Sequence, residues 1–137
     1  MEFVKEFLQS RDWISPEEKQ KILAQGNMEL RFVSRNSIEF LIKEYDNQRN
    51  KTYAEIIQIE ATFAAPCAEE KSIEVITEIN VLEPFGVYFF NTDSQKIVFR
   101  SIAHCKKEKY VALIDRFLTH PQYGHLTSPA RFLSKLR

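Results

Sequence analysis

Three stretches of this chain alternate apolar and polar residues with period two, and turn chemistry separates them. Met28, Leu30 and Phe32 point one way, and Ser34-Arg35-Asn36 turns. Ile38, Phe40 and Ile42 resume the pattern, and Asp46-Asn47-Gln48-Arg49-Asn50 turns again. Ile57, Ile59, Ala61 and Phe63 complete the set. Successive side chains of a strand point to opposite faces, so this spacing predicts a three-stranded antiparallel meander with one buried face. A sheet with one apolar face needs a second layer to cover it.

The stretch FGVYFFNTDSQKIVFRS, residues 85–101, breaks the rule that the meander keeps. Asn91-Thr92-Asp93-Ser94-Gln95 is turn chemistry between two apolar limbs, which predicts a β-hairpin. Val87 and Phe89 point to one face, yet Tyr88 and Phe90 on the other are equally apolar. Either a helix covers each face, or one face meets another chain. Apolar residues on both faces suit a dimer contact or strand addition. The protein-binding residues expected on this ground are Tyr88, Phe90, Val98 and Arg100.

Helical spacing brackets these strands. Phe3, Val4, Phe7 and Leu8 recur at i, i+1, i+4 and i+5, and Trp13 and Ile14 follow. Ser15-Pro16-Glu17-Glu18 supplies an N-cap, a proline at the first helical position and a glutamate three residues after the cap; Gly26 supplies a stop. Tyr110, Ile114, Phe117 and Leu118 predict an amphipathic helix ending at His120-Pro121. Residues 67–83 fit two periods. Ile73, Val75, Thr77, Ile79 and Val81 alternate like a strand, and their β-branching favours that reading. Val75, Ile79 and Leu82 form an i, i+4, i+7 stripe with Ile76 beside it, and Glu69 and Glu70 fall where acids favour a helix start.

With 71–82 as a helix, the chain is one α+β domain over 1–137 in the order α-β-β-β-α-β-β-α. An antiparallel sheet, a meander plus a C-terminal hairpin, is flanked by helices. With 71–82 as a strand, it becomes a six-stranded, helix-grip-like cup able to enclose a small apolar ligand. The conformation of 71–82 discriminates the two.

Charge is balanced in total but not in distribution. Residues 1–95 hold ten Lys/Arg against seventeen Asp/Glu, while 96–137 hold nine against two. Residues 121–137 form a basic tail, in which Phe132, Leu133 and Leu136 share one side of a turn capped by Ser128-Pro129. That side is expected to dock on the acidic body of the protein itself.

Several function classes find no footing. The N-terminus interrupts its apolar residues with charge and is not a signal peptide, and no apolar run approaches the ~20 residues that span a bilayer, so a cytoplasmic protein is expected. Cys67 and Cys105 are too few for a disulfide scaffold. His104-Cys105, with Cys67 and His120 or His125, lacks metal-ligand spacing. Cys67 after Pro66 sits where a helix N-terminus would acidify a thiol, but no third group completes a catalytic set. No glycine loop or serine elbow is present, so neither catalysis nor a cofactor is expected. Tyr88, Phe90, Phe99 and Arg100 could stack single-stranded nucleic acid, but the acidity of most of the sheet opposes it.

The run IIQIEATFAAP, then EVITEIN, then FGVYFFNTDSQKIVFR resembles the YbjN family, assigned as bacterial sensory transduction regulators. That family is similar in structure to type III secretion chaperones. Both have a strand ending near proline, a helix ending in a short Asn-containing element, and a hairpin with an acidic turn. The resemblance spans about residues 28–120 and implies a small, non-enzymatic, often dimeric protein that binds other proteins. The basic C-terminal third departs from the acidic composition of such chaperones.

Overall fold

The computed structural model describes residues 2–35, 37–45, 55–82 and 86–119. The turn expected at 46–50, His120, His125 and the tail with Phe132, Leu133 and Leu136 lie outside them. The fold is α+β. Helices α1 (Glu2–Gln9) and α2 (Pro16–Ala24) precede strands β1 (Glu29–Val33), β2 (Glu39–Tyr45) and β3 (Glu55–Ala64). Then come α3 (Glu69–Leu82), β4 (Val87–Asn91), β5 (Lys96–Cys105), a 3₁₀ turn (Lys107–Lys109) and α4 (Tyr110–Thr119). The strands form one antiparallel sheet in the order β1-β2-β3-β5-β4, so the hairpin joins the meander through β5 against β3.

Local chemistry explains most boundaries. Ser15 caps α2 by accepting the Glu18 N–H at 3.3 Å, with Pro16 at the first helical position. The β1–β2 turn relies on Ser37 in the left-handed region, φ 65°. It closes with Ser34 N–H donating to the Ile38 carbonyl at 2.9 Å. In the hairpin loop the Asn91 Oδ1 accepts the N–H of Asp93 at 3.0 Å and of Ser94 at 3.3 Å, an Asx turn.

Residues 69–82 are helical, so the sheet has five strands and the six-stranded cup is not formed. Ser72, Val75, Ile76 and Ile79 are buried at helical spacing, whereas Ile73 and Val81, which strand alternation would bury, are exposed. Met28 is a smaller departure. It precedes β1 and is exposed rather than aligned with Leu30 and Phe32.

The helices bury one face of the sheet. Leu30 and Phe32 of β1, Phe40 and Ile42 of β2, Ile57, Ile59, Ala61 and Phe63 of β3, Ile97 and Phe99 of β5 and Tyr88 of β4 form a single core. Val4, Leu8, Ile22, Val75, Ile76, Ile79, Tyr110, Ile114 and Phe117 from the four helices complete it. Phe117 stacks on Phe99 at 5.4 Å, fixing α4 over β5, and Trp13 packs on Phe32 and Phe40. Glu44 also points to this layer, 7% exposed, and Lys107 Nζ answers it at 3.5 Å.

Candidate functional site

The register decides which hairpin residues share a surface. Counting toward the loop, Val87 pairs with Arg100, Tyr88 with Phe99, Phe89 with Val98 and Phe90 with Ile97. Tyr88 and Phe90 therefore face the helices. Tyr88 is buried with its ring 4.7 Å from Phe99, and Phe90 packs on the core. Val98 and Arg100 lie on the opposite face with Val87 and Phe89. The four residues expected to act together are split between the two faces. The surface that remains is Val87, Phe89, Arg100 and Ile102, with the buried Val98 paired beside Phe89.

This second face carries no helix among the described residues. Val87 is 56% exposed and Ile102 54%, while Val98 is 4% exposed. The Arg100 guanidinium lies over the Phe89 ring, 4.9 Å from its centre, and its Nε donates to Glu60 Oε1 at 2.6 Å. The same oxygen accepts Gln58 Nε2 at 2.7 Å, and Tyr45 OH donates to Gln58 Oε1 at 2.8 Å. One hydrogen-bonded chain thus crosses from β2 through β3 to β5 and holds Arg100 against β4. Lys96 pairs with Glu39 at 3.1 Å and Arg31 with Glu29 at 2.8 Å. Such exposed pairs stabilise by about 0–1 kcal/mol each, so they set the pattern of charge more than the stability.

At the β1 end, α2 raises a wall beside the face. A groove of about 280 Å³ opens there, lined by Glu18, Lys21, Arg31, Val33, Glu39, Leu41, Glu60 and Thr62, among others. Phe32 and Phe40 also line it, so its wall mixes charged and apolar side chains, and it is open to solvent rather than an enclosed apolar chamber. Lys21 Nζ donates to Glu18 Oε1 at 2.9 Å, and Glu18 Oε2 accepts the Val33 N–H at 3.1 Å. The Lys21 hydrogen bond first, and the Val33 N–H after it, hold the Glu18 carboxyl below its ordinary value of 4.5 against the opposing effect of burial. A lowered pKa in the folded state means that the folded protein binds fewer protons, so this contribution is present at neutral pH and lost as pH falls through that range. The melting temperature of Glu18→Gln is therefore expected to trail the wild type at pH 7 and to converge with it in acid, as read by melting across pH.

Both outer edges of the sheet are closed by side-chain amides. Gln25, at the end of α2, accepts the Arg31 N–H on Oε1 at 2.7 Å and donates Nε2 to the Arg31 carbonyl at 2.7 Å. Asn80, on α3, accepts the Tyr88 N–H on Oδ1 at 2.8 Å and donates Nδ2 to the Tyr88 carbonyl at 2.9 Å. Each amide takes the two bonding positions that a neighbouring strand would use, a device against edge-to-edge pairing. Neither residue carries a sequence pattern that marks it. Asn80→Ala leaves two part-buried backbone groups without those partners and is expected to cost about 1–3 kcal/mol. Faster amide exchange at Tyr88 than elsewhere in β4 checks the cause.

The candidate chemical residues do not converge. His104 and Cys105 are adjacent on β5 and so point to opposite faces. Cys105 pairs with Glu55, while Cys67 lies beyond Ala64 at the other end of β3. Nine residues of strand separate those ends by about 30 Å, far outside disulfide range. Cys67 Sγ sits 3.3 Å from Ser72 Oγ, against the first turn of α3. Among the described residues no group of three or more His, Cys, Asp or Glu could hold a metal ion, and no helix is long and apolar enough to cross a membrane. No family model, curated protein or solved structure matches the chain.

Proposed function

We propose that this protein is a non-enzymatic, cytoplasmic protein-binding module, chaperone-like or regulatory, that acts as a homodimer through the face of its hairpin that no described helix covers. The observation that carries the reading is one-sided cover: the described helices all pack on the Tyr88–Phe99 side, while Val87, Phe89 and Ile102 stay on the other. Five strands about 4.8 Å apart make a face some 24 Å wide, the scale of the roughly 800 Å² per partner that stable complexes bury. The cross-strand row Arg31, Leu41, Glu60 and Arg100 carries charges of both signs, which favours a second protein surface over a polyanion. The closed edges direct contact to the face rather than to strand exchange at β1 or β4.

Sedimentation of the wild type and of the Val87→Asp/Ile102→Asp double variant tests this. The expected result is a dimer of 16.1 kDa chains that the variant reduces to monomer with its circular dichroism spectrum unchanged and its melting temperature no longer dependent on concentration. A wild type that stays monomeric at high concentration, or a variant that still dimerises, overturns the dimer.

A further inference from the structure

Helix α3 carries an outer surface that its packing on the sheet does not use. Ser72, Val75, Ile76 and Ile79 are buried, whereas Ile73 and Val81 stand away from the core, 46% and 80% exposed. Ile73, Thr77 and Val81 recur at i, i+4 and i+8 and so form one row along the helix. Thr77 Oγ1 already donates to the Ile73 carbonyl at 2.9 Å. Glu70, Glu74 and Glu78 recur at the same spacing and make a second exposed row beside the first. Of these three acids only Glu74 pairs with a described cation, Lys71, at 3.5 Å. Over Glu69–Leu82 four carboxylates stand against one lysine. The other exposed large apolar residue on a described helix is Leu23 of α2, and Lys19 precedes it by one turn. An exposed apolar row bordered by acids is thus particular to α3 among the described helices.

We propose that the outer face of α3 is the docking surface of the chain's own basic segment 128–137. The complement is written in the sequence. Phe132 and Leu136 recur at i and i+4, and Arg131 and Lys135 recur at the same spacing one position earlier. An apolar row thus runs beside a basic row, as an apolar row runs beside an acidic one on α3. The segment holds three cations and no acid, opposite in sign to α3. Eight residues at helical spacing span only about 12 Å, too few to hold a helix unaided, so order in this segment needs a host surface. The 14 residues of α3 offer one about 21 Å long. Reach is sufficient, because residues 120–131 extend to about 40 Å. The end of α4 also lies close to α3. Phe117 stacks on Phe99 at 5.4 Å, Phe99 stands 4.7 Å from Tyr88, and Asn80 of α3 holds the Tyr88 N–H at 2.8 Å. The docking surface shares no residue with the hairpin face proposed for the dimer, so either proposal can fail without the other.

Nuclear Overhauser contacts between methyl and ring groups of the full chain test the proposal. The expected result is contact of Phe132 and Leu136 with Ile73 and Val81, weakened in about 0.5 M salt, where exposed charges are screened within a few ångströms. Charge reversal on either side, Glu74→Lys/Glu78→Lys or Arg131→Glu/Lys135→Glu, is expected to abolish the contacts, and the two together to restore them. These positions on α3 are exposed, so circular dichroism should show the fold intact. Deleting 128–137 is expected to shift the amides of Ile73, Thr77 and Val81 and leave those of α1 in place. A mixture of labelled and unlabelled protein separates contacts within a chain from contacts between chains. Absence of the contacts in the wild type, their survival in both charge reversals, no amide shift on α3 after the deletion, or contacts only between chains overturns the proposal.

Discussion

Phe99→Ala is expected to destabilise the protein by about 3–5 kcal/mol, the range for truncating a fully buried aromatic residue. Phe99 is wholly buried, at the junction of three elements. Its ring stands 4.7 Å from Tyr88 on β4 and stacks at 5.4 Å on Phe117 of α4, and its backbone lies in the ladder with Ala61 of β3. Removing it opens a cavity where hairpin, meander and last helix meet, so little collapse can fill the space. For a chain of this length the melting temperature should fall by about 10–20 °C. Chemical denaturation of the variant measures the loss directly. A cost near that of a surface substitution would mean that the hairpin does not share the core with α4.

Gly86→Ala is expected to cost about 3 kcal/mol, at the upper end for an overpacked site. Glycine is not required here for a left-handed backbone, because no glycine of the described chain has positive φ. It is required by close approach: a Cβ at this position would overlap the Arg100 carbonyl oxygen and stand 2.6 Å from Phe99 Cζ. That oxygen belongs to the β4–β5 ladder and cannot swing aside as a long side chain would. Replacing glycine by alanine at an unstrained site commonly stabilises a protein by about 0.4–1 kcal/mol, so the sign of the change is diagnostic. A neutral or stabilising substitution, read by urea unfolding, would mean that β4 approaches β5 less closely than described.

The meander was legible because one buried face forces strict alternation, and a slip of one residue would expose every apolar side chain in it. Residues 69–82 were not decided by local pattern. β-branched residues satisfy both periods there, and burial of Ser72, Val75, Ile76 and Ile79 against the sheet settles the helix through tertiary contact. The apolar character of both hairpin faces was readable. The grouping of Tyr88 and Phe90 with Val98 and Arg100 failed because it treated the two limbs separately; the pairing of Asn91 with Lys96 across the loop puts Phe89, not Phe90, beside Val98. Gln25 and Asn80 were invisible for a different reason. An amide that bonds backbone six or eight residues away leaves no periodic trace.

The proposed dimer contact is the face of β4 and β5 that no described helix covers. The most direct test is a dilution series of backbone amide spectra on uniformly labelled protein. The expected result is concentration-dependent shifts at Val87, Phe89, Arg100 and Ile102, with the amides of α1, α3 and α4 unmoved. Shifts confined to the helices, or none from micromolar to millimolar protein, would contradict it.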